Sequence, residues 1–376
     1  MVNRIFLLAF ILVGLNAQAE PEAGGEAALI IEELGLRAAA EPIARPAGWA
    51  PMKVLVTAPP MLLQITPTYL NQLREVAGNV ELVIDDSGAF VPDVKLLEGV
   101  DAVIGLCHPG TVASAPDLRW LHNYFVGMDR CAGLTSEQVS GRTFTNGKRL
   151  SGPAIAEHSI AMILSLARGL PAYHRAQVES QWDDSLRQQV RFGELKGKTL
   201  LVVGLGGIGT EVAWRAHGLG MKVTAIRNSS RSGPDYVSYV GLSDELMALA
   251  ADADVVVNAL PLTSKTTGLF DEAFFSGIKK GSLFISVGRG KSTDTEALIA
   301  ALESGRVYGA GLDVTDPEPL PADSALWQMD NVIITPHSSA AGSDSLKRGT
   351  IIAVENLRRY VAGEPMLNAV DMAAGY

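Results

Sequence analysis

The strongest constraint on the fold is a glycine-rich turn near the middle of the chain, within residues 200–210. Four apolar residues typical of a strand run directly into the pattern G-x-G-x-x-G, and the residues that follow favour a helix. A dinucleotide site needs this arrangement, because the glycines permit a tight turn, close approach to a pyrophosphate and close helix–strand packing. The sequence therefore predicts a dinucleotide-binding turn made of Gly204, Gly206, Gly207, Ile208 and Gly209.

The residues after the next predicted strand bear on the choice of cofactor. NAD-specific folds usually carry an acidic residue there, which holds the ribose 2′-hydroxyl. This chain has Arg227 and Arg231 instead, separated by Asn and Ser residues. Guanidinium groups pair with phosphate through forked hydrogen bonds, so the segment favours NADP, with NAD still possible. The alternative is a solvated basic loop.

Short apolar strands alternate with helical stretches over most of the chain, which is typical of an α/β protein with parallel sheets wound by crossovers. With 376 residues, two domains are more natural than one. The predicted strands are residues 54–56, 81–84, 102–106, 120–125, 143–145, 200–203, 222–226, 255–260, 283–287, 308–312 and 332–334.

Three polar residues follow the later strands, at the edge where open α/β sheets bind their ligands. They are Arg289, Glu318 and His337. Singly, each suits an ordinary loop position. Together, and beside a dinucleotide turn, an arginine, a carboxylate and a histidine indicate hydride chemistry on a substrate that carries a carboxylate.

Six ordered segments resemble the D-isomer-specific 2-hydroxyacid dehydrogenase family, in its glyoxylate/hydroxypyruvate reductase-like form. The resemblance covers most of residues 53–370, in segments 156–168, 203–209, 286–290, 311–320, 335–339 and 356–365. It implies that Arg289 binds the substrate carboxylate and carbonyl, that His337 is the general acid and base, and that Glu318 orients His337.

The resemblance also assigns contacts around the cofactor and the substrate. Asp313 matches the family's contact to the nicotinamide, and the other matching cofactor positions are Leu260, Pro261, Val287 and Ser339. On the substrate side, Gly127 and His108 fall in loops of the first domain that close on the substrate together with Arg289. His108 is equally well explained as a loop residue without a contact.

The family fold implies two doubly wound parallel-sheet domains. A Rossmann-type NAD(P)-binding domain at residues 149–342 would be inserted into a flavodoxin-like substrate domain at residues 52–148 and 343–370. The apolar helix at residues 154–166 forms a two-fold interface in this family, so a homodimer is expected, unless the helix is buried within one subunit.

The implied activity is NAD(P)-dependent hydride transfer between nicotinamide and a small 2-oxo or D-2-hydroxy acid, with glyoxylate and hydroxypyruvate first. A second hypothesis for the enzyme is a formate or phosphite dehydrogenase of the same superfamily. The presence of Glu318 argues against the formate enzyme. A non-catalytic dinucleotide-sensing protein on the same fold is an alternative of another class. It has no need of a proton donor such as His337.

The N-terminus has the three parts of an export signal. Arg4 precedes eleven uncharged residues, and a small-x-small site ends at Ala19. We therefore expect a signal at residues 1–19, a tether at residues 20–51 that includes a short helix at residues 28–40, and a periplasmic or secreted protein. If the segment is a buried helix or a wrongly assigned start, the protein is cytoplasmic.

Composition excludes several other classes of ligand. The net charge is −10 and no long basic run occurs, so nucleic acid is not an expected partner. After signal removal no segment is apolar and long enough to span a membrane. The six histidines lack zinc-like spacing, and no metal site is expected. Whether Cys107 and Cys131 pair is left open by the sequence.

Overall fold

Two parallel β-sheets organise the chain. The computed structural model describes residues 23–374 apart from positions 132, 189 and 229, and the expected export signal at residues 1–19 lies outside the described residues. The strands are β1 (Lys53–Thr57), β2 (Glu81–Asp85), β3 (Ala102–Gly105), β4 (Trp120–Asn123), β5 (Thr143–Asn146), β6 (Thr199–Val203), β7 (Lys222–Ile226), β8 (Tyr239–Gly241), β9 (Val255–Asn258), β10 (Ser282–Ser286), β11 (Val307–Leu312) and β12 (Val332–Ile334).

The helices connect these strands and cover both sheets. They are α1 (Ala23–Leu34), α2 (Pro60–Ile65), α3 (Tyr69–Ala77), α4 (Pro109–Ser114), α5 (Ser136–Val139), α6 (Gly152–Ala167), α7 (Leu170–Val178), α8 (Gly207–Gly218), α9 (Leu246–Ala250), α10 (Glu272–Gly277), α11 (Thr295–Glu303) and α12 (Ser343–Ala362).

The first sheet has the strand order β2-β1-β3-β4-β5, and every pair in it is parallel. Its faces are both buried, because alternate residues such as Val54 and Leu55 belong to different core clusters. The chain returns to this sheet at its end, where α12 packs on α3. Tyr360 of α12 is 1% exposed, and its hydroxyl lies 2.8 Å from Oδ1 of Asp101.

The second sheet has the order β12-β11-β10-β9-β6-β7-β8 and is also entirely parallel. The chain winds outward from β6 through β7 to β8, and then in the opposite direction from β9 to β12. The carboxyl ends of β6 and β9 therefore flank a topological switch point, where such sheets bind ligands. Two wound parallel-sheet domains confirm the predicted fold class, whereas the exact domain boundaries stay predictions.

The N-terminal segment differs from the tether expected at residues 20–51. Its helix begins at Ala23 and ends at Leu34, rather than spanning residues 28–40. Ala27, Ile30 and Leu34 recur at helical spacing and are buried against Ile351 and Ile352 of α12. Burial of this apolar stripe docks the segment on the body of the protein instead of leaving it extended.

The long apolar helix α6 buries most of its apolar side chains within its own subunit. It packs on α8 and on strands β10 and β11. Ile155, Met162, Ile163 and Leu166 on this helix are all at most 7% exposed. This agrees with the alternative that the sequence left open, namely burial of the helix within one subunit. The apolar side chains of α6 that are buried in this way are not available to a second subunit.

Strand ends differ from the predictions by one or two residues at places that matter for function. Strand β9 ends at Asn258 rather than at Leu260, because the Asn258 side chain accepts a hydrogen bond from the Leu260 N–H and turns the chain. Leu260 thus lies in a loop. The edge strand β8 was not predicted, since three residues carry too little pattern to recognise.

A buried histidine in the first sheet makes stability depend on pH. His122 is fully buried, its Nδ1 lies 2.8 Å from Thr145 Oγ1, and burial lowers the pKa of His122 to about 3. The unfolded chain binds this proton near pH 6.5. The contribution of this histidine to the free energy of unfolding should therefore be complete above pH 6.5. It should decrease as the pH falls toward 3, by up to ~1.4 kcal/mol per pH unit.

Chemical denaturation at several pH values checks this expectation. The variant His122→Gln removes the titrating group, so its free energy of unfolding should depend less on pH over this window. His217→Gln is a matched control, because His217 is exposed on α8. Equal pH slopes for the unmodified protein and His122→Gln would show that burial does not suppress protonation of this ring.

Candidate functional site

The glycine turn connects β6 to α8 as predicted. Gly204 has φ of +103°, and a Cβ at this position would lie 2.9 Å from the carbonyl oxygen of Ala259, so only glycine fits without strain. A Cβ on Gly209 would overlap the Gly204 carbonyl oxygen. Gly206 is exposed, and a Cβ on it would have no neighbour within 4 Å, so open space lies above the turn.

A cleft of about 790 Å³ begins at this turn. Six of the predicted cofactor residues line it, namely Gly204, Gly206, Gly207, Arg227, Leu260 and Pro261. The open backbone of the turn and the start of α8 at Gly207 suit an anionic group, because the first N–H groups of a helix have no partner within the helix. These residues fit the pyrophosphate of a dinucleotide.

The other six predicted cofactor residues do not line this cleft. Gly209 is buried under the turn, and Ile208 packs against the core. Val287 is 4% exposed and is also part of the core. Arg231 pairs with other side chains, since its Nη1 lies 2.6 Å from Glu245 Oε2 and 3.0 Å from the Tyr239 hydroxyl. Asp313 and Ser339 are buried in a loop network.

Four cations that the sequence did not single out also line the cleft. One is Lys265, and the other three form a cluster. These three are Arg37, Lys148 and Arg149, and they lie near Arg227. Burial lowers the pKa of Lys148 and of Arg149, and the neighbouring arginines lower both further. Because these residues come from segments far apart in the sequence, no local pattern could have revealed them as a cluster.

Asp313 organises the loop after β12. Its carboxylate is 1% exposed and accepts hydrogen bonds from Thr335 Oγ1 at 2.6 Å and from the N–H groups of Ser338 at 2.8 Å and Ser339 at 3.0 Å. Burial alone would raise the pKa of Asp313, but these donors outweigh that effect and lower it. The direct contact of Asp313 to nicotinamide remains a prediction. The hydrogen bonds that its carboxylate accepts fix the loop after β12.

The loop held by Asp313 presents His337. The histidine has φ of +50°, its N–H donates to the Asp313 carbonyl at 2.8 Å, and 48% of its side chain is exposed. Its Nδ1 lies 3.1 Å from Oε2 of Glu318. The structure thus pairs the predicted histidine and carboxylate through Nδ1, and the other ring nitrogen, Nε2, takes no part in this contact.

Arg289 follows β10 and reaches across to the first sheet's domain. Its Nε donates to Asp129 Oδ2 at 2.8 Å, and its Nη1 donates to the Gly288 carbonyl at 2.8 Å. A Cβ on Gly127 would overlap Nη2, so the guanidinium packs directly against this glycine and any side chain there would displace it. Asp129 was not predicted as a functional residue, although it lies in the same loop as Gly127.

Two further contacts fix the loops on this side of the site. Buried Asn123 at the end of β4 donates to the carbonyls of Phe125 and Gly127 and accepts from the Cys107 N–H. Cys107 and Cys131 are joined by a disulfide, with Cα atoms 5.5 Å apart, which answers the question left by the sequence. Sequence reasoning missed Asn123, whose signal was a polar amide closing an apolar strand.

His108 lies at the start of α4 and is exposed. Its Nδ1 accepts a hydrogen bond from the Gly110 N–H at 3.1 Å, which caps the helix. This arrangement explains the residue without a substrate, and a substrate contact stays a prediction. Within the described residues, no group of three or more His, Cys, Asp or Glu side chains could hold a metal ion.

Comparison with known proteins agrees with this geometry. The family model of the D-isomer specific 2-hydroxyacid dehydrogenase NAD binding domain matches residues 160–339. Glyoxylate/hydroxypyruvate reductase B of Enterobacter sp. (strain 638) is 35% identical over 299 residues, which cover 78% of this chain and 89% of that protein.

Solved structures of similar chains contain either nicotinamide cofactor. A D-isomer specific 2-hydroxyacid dehydrogenase from Xanthobacter autotrophicus Py2, in complex with NADPH and MES, is 29% identical with a TM-score of 0.71, covering 87% of this chain and 100% of its own. D-lactate dehydrogenase from Aquifex aeolicus, complexed with NAD and lactic acid, is 26% identical with a TM-score of 0.68, covering 83% and 96%.

Proposed function

Since this chain belongs to the D-isomer-specific 2-hydroxyacid dehydrogenase family and is an NAD(P)-dependent 2-hydroxyacid oxidoreductase, we propose that it reduces glyoxylate or hydroxypyruvate with NADPH. The observation that carries the proposal is the His337–Glu318 pair, with Nδ1 and Oε2 3.1 Å apart, on the same sheet edge as Arg289. A protein that only senses a dinucleotide has no use for this pair.

Arg289 binds the substrate in this proposal, and His337 with Glu318 carries out the proton transfer. When bound, the nicotinamide cofactor supplies the hydride. Arg289 binds the substrate carboxylate through its guanidinium, which Asp129 holds at Nε and which packs against Gly127. His337 Nε2 donates a proton to the carbonyl oxygen during reduction and removes it during oxidation. Glu318 keeps the ring oriented for this transfer.

Two substitutions test the assignment. His337→Gln should lower kcat for NADPH-dependent reduction of glyoxylate by ~10²–10⁴-fold, because a positioned acid/base group is lost, while NADPH binding is retained. Arg289→Lys should raise KM for the 2-oxo acid, because a point charge replaces the forked donor. Steady-state kinetics at 340 nm measures both values.

The exposed His217→Gln variant on α8 is the control and should keep normal turnover. Near-normal turnover by both His337→Gln and Arg289→Lys would show that the reaction does not use these residues.

Preference for NADP rests on Arg227, which lines the cleft at the end of β7. Its Nη1 donates to the Ser232 carbonyl at 2.9 Å, which orients the guanidinium while leaving other donors for a 2′-phosphate. Arg231 has no part in this proposal, because Glu245 and Tyr239 already engage it.

Exchange of this arginine should therefore shift cofactor use. Arg227→Ala should lower kcat/KM for NADPH by about 10- to 100-fold, the range of one lost charge-assisted hydrogen bond, and leave NADH nearly unchanged. Arg231→Ala, the matched comparison, should preserve the ratio of the two efficiencies. An unchanged ratio in Arg227→Ala would contradict the preference.

We also propose that the protein is a homodimer and that its interface includes α7 and the surface around it. Large apolar side chains are exposed there and on α8, namely Leu170 (51%), Tyr173 (37%), Val178 (72%), Trp182 (94%) and Trp214 (56%). Exposed apolar side chains that form one continuous surface are typical of an interface. Sedimentation should give twice the monomer mass, and Trp182→Glu should weaken association. A monomer at all concentrations would contradict it.

Export remains part of the proposal, with the cytoplasm as the alternative if residues 1–19 do not act as a signal. The Cys107–Cys131 disulfide supports export, because such bonds persist in oxidising compartments. Among the residues that the structure describes, no helix has the length and apolar character needed to cross a membrane.

A further inference from the structure

The segment that follows α1 forms part of the wall of the dinucleotide cleft. Gly35 and Arg37 line the cleft, alongside residues of the glycine turn and of the loop after β7. Both residues lie in the stretch expected to be a tether. The N-terminal segment therefore contributes the Arg37 side chain to a site that is built mainly by the loops of the second sheet, together with residues 148–149 and 368–374.

The backbone of this segment is fixed, although the Arg37 side chain is exposed. Leu36 is 7% exposed and packs in the cluster that joins α1 to α12. The Arg37 carbonyl accepts from the Asn368 N–H at 2.9 Å, and the next residue, Ala38, pairs with Leu367 in an antiparallel bridge. Arg37 thus projects from an anchored position rather than from a free tail.

Arg149 connects this segment to the glycine turn. Its Nη1 donates to the Leu34 carbonyl at 3.1 Å, at the end of α1. A Cβ on Gly207 would lie 2.8 Å from the Arg149 Cγ, so the arginine stem packs against the first residue of α8. The end of α1 and the phosphate-binding end of α8 are therefore joined by one side chain.

The charged residues that line the cleft are all cations. Arg37, Lys148, Arg149 and Arg227 lie close enough to influence one another, and the pKa values of Lys148 and Arg149 are lowered first by burial and then by these neighbours. The acid that acts on Arg149 is Glu211. A cationic group of this density fits a ligand with several negative charges, as a dinucleotide with its phosphates has.

We propose that Arg37 and Arg149 bind phosphate groups of the dinucleotide, and that residues 34–37 cover the phosphate end of the cleft and slow the release of the cofactor. This inference rests on the proposed function, since it requires that NADPH occupies the cleft. It assigns the N-terminal segment a role in holding cofactor, in addition to its packing on α12.

The rate of NADPH release tests the inference. Full-length protein is loaded with NADPH and mixed with excess NADP⁺ in a stopped-flow instrument, and the loss of bound NADPH fluorescence gives the dissociation rate constant. Arg37→Ala should raise it by about 3- to 10-fold, because one charge-assisted contact to phosphate is lost. Arg37→Lys should restore part of the slow release.

A matched control and the salt dependence separate binding from folding. Arg74→Ala removes an equally exposed arginine on α3, away from the cleft, and should release NADPH at the normal rate. Release from the unmodified protein should accelerate with ionic strength more steeply than release from Arg37→Ala, because salt screens the missing charge. Thermal unfolding of Arg37→Ala without nucleotide should match the unmodified protein.

The outcomes distinguish this inference from the proposed function. Release from Arg37→Ala at the normal rate, with the normal salt dependence, would overturn the inference and leave the proposed function intact. Failure of the unmodified protein to bind NADPH would overturn both. A repeat with NADH assigns the contact, since equal acceleration indicates the shared pyrophosphate and acceleration with NADPH alone indicates the 2′-phosphate.

Discussion

The position of His337, the proposed acid/base residue, depends on one buried carboxylate. Asp313 is removed from water almost completely, which by itself opposes ionisation, yet its hydrogen bonds to Thr335, Ser338 and Ser339 keep the pKa of the group low. The ionised carboxylate in turn holds the loop after β12 in a conformation where His337 adopts a left-handed backbone. Glu318 then sets the ring by its contact to Nδ1. Buried interactions therefore place the backbone of the loop, whereas the exposed ring of His337 takes its orientation from Glu318, whose side chain is 40% exposed.

The substrate side of the site is shared between the two sheets. Arg289 follows a strand of the second sheet, whereas Asp129 and Gly127, against which its guanidinium packs, come from a loop of the first. Asn123 and the Cys107–Cys131 disulfide hold that loop against the end of β3. The ion pair between Arg289 and Asp129 therefore ties the two domains together at the point where a 2-oxo acid would bind, and the substrate carboxylate would meet an arginine whose orientation is already set.

Sequence predicted the features that depend on local order and spacing, and missed those that depend on long-range contact. The glycine turn, the strand-end positions of Arg289, Glu318 and His337 and the alternation of strands and helices are all local patterns. Val287 and Arg231 were predicted to contact the cofactor but do not line the cleft, because a place at the end of a strand does not say whether a side chain faces the cleft, the core or a neighbouring acid. Their contacts to the cofactor stay predictions. Arg37, Lys148 and Arg149 converge only through folding. The apolar spacing of Ala27, Ile30 and Leu34 did mark α1, whose docking brings Arg37 to the cleft.

In the proposed reaction, a hydride passes directly from NADPH to the carbonyl carbon of a 2-oxo acid, and His337 supplies the proton at the carbonyl oxygen. Reaction of the full-length protein with hydroxypyruvate and NADPH deuterated at both C4 positions tests it most directly. We expect D-glycerate that carries one deuterium at C2, as measured by mass spectrometry and chiral chromatography. Glycerate without deuterium at C2, glycerate of the L configuration, or no consumption of NADPH with either hydroxypyruvate or glyoxylate would contradict it.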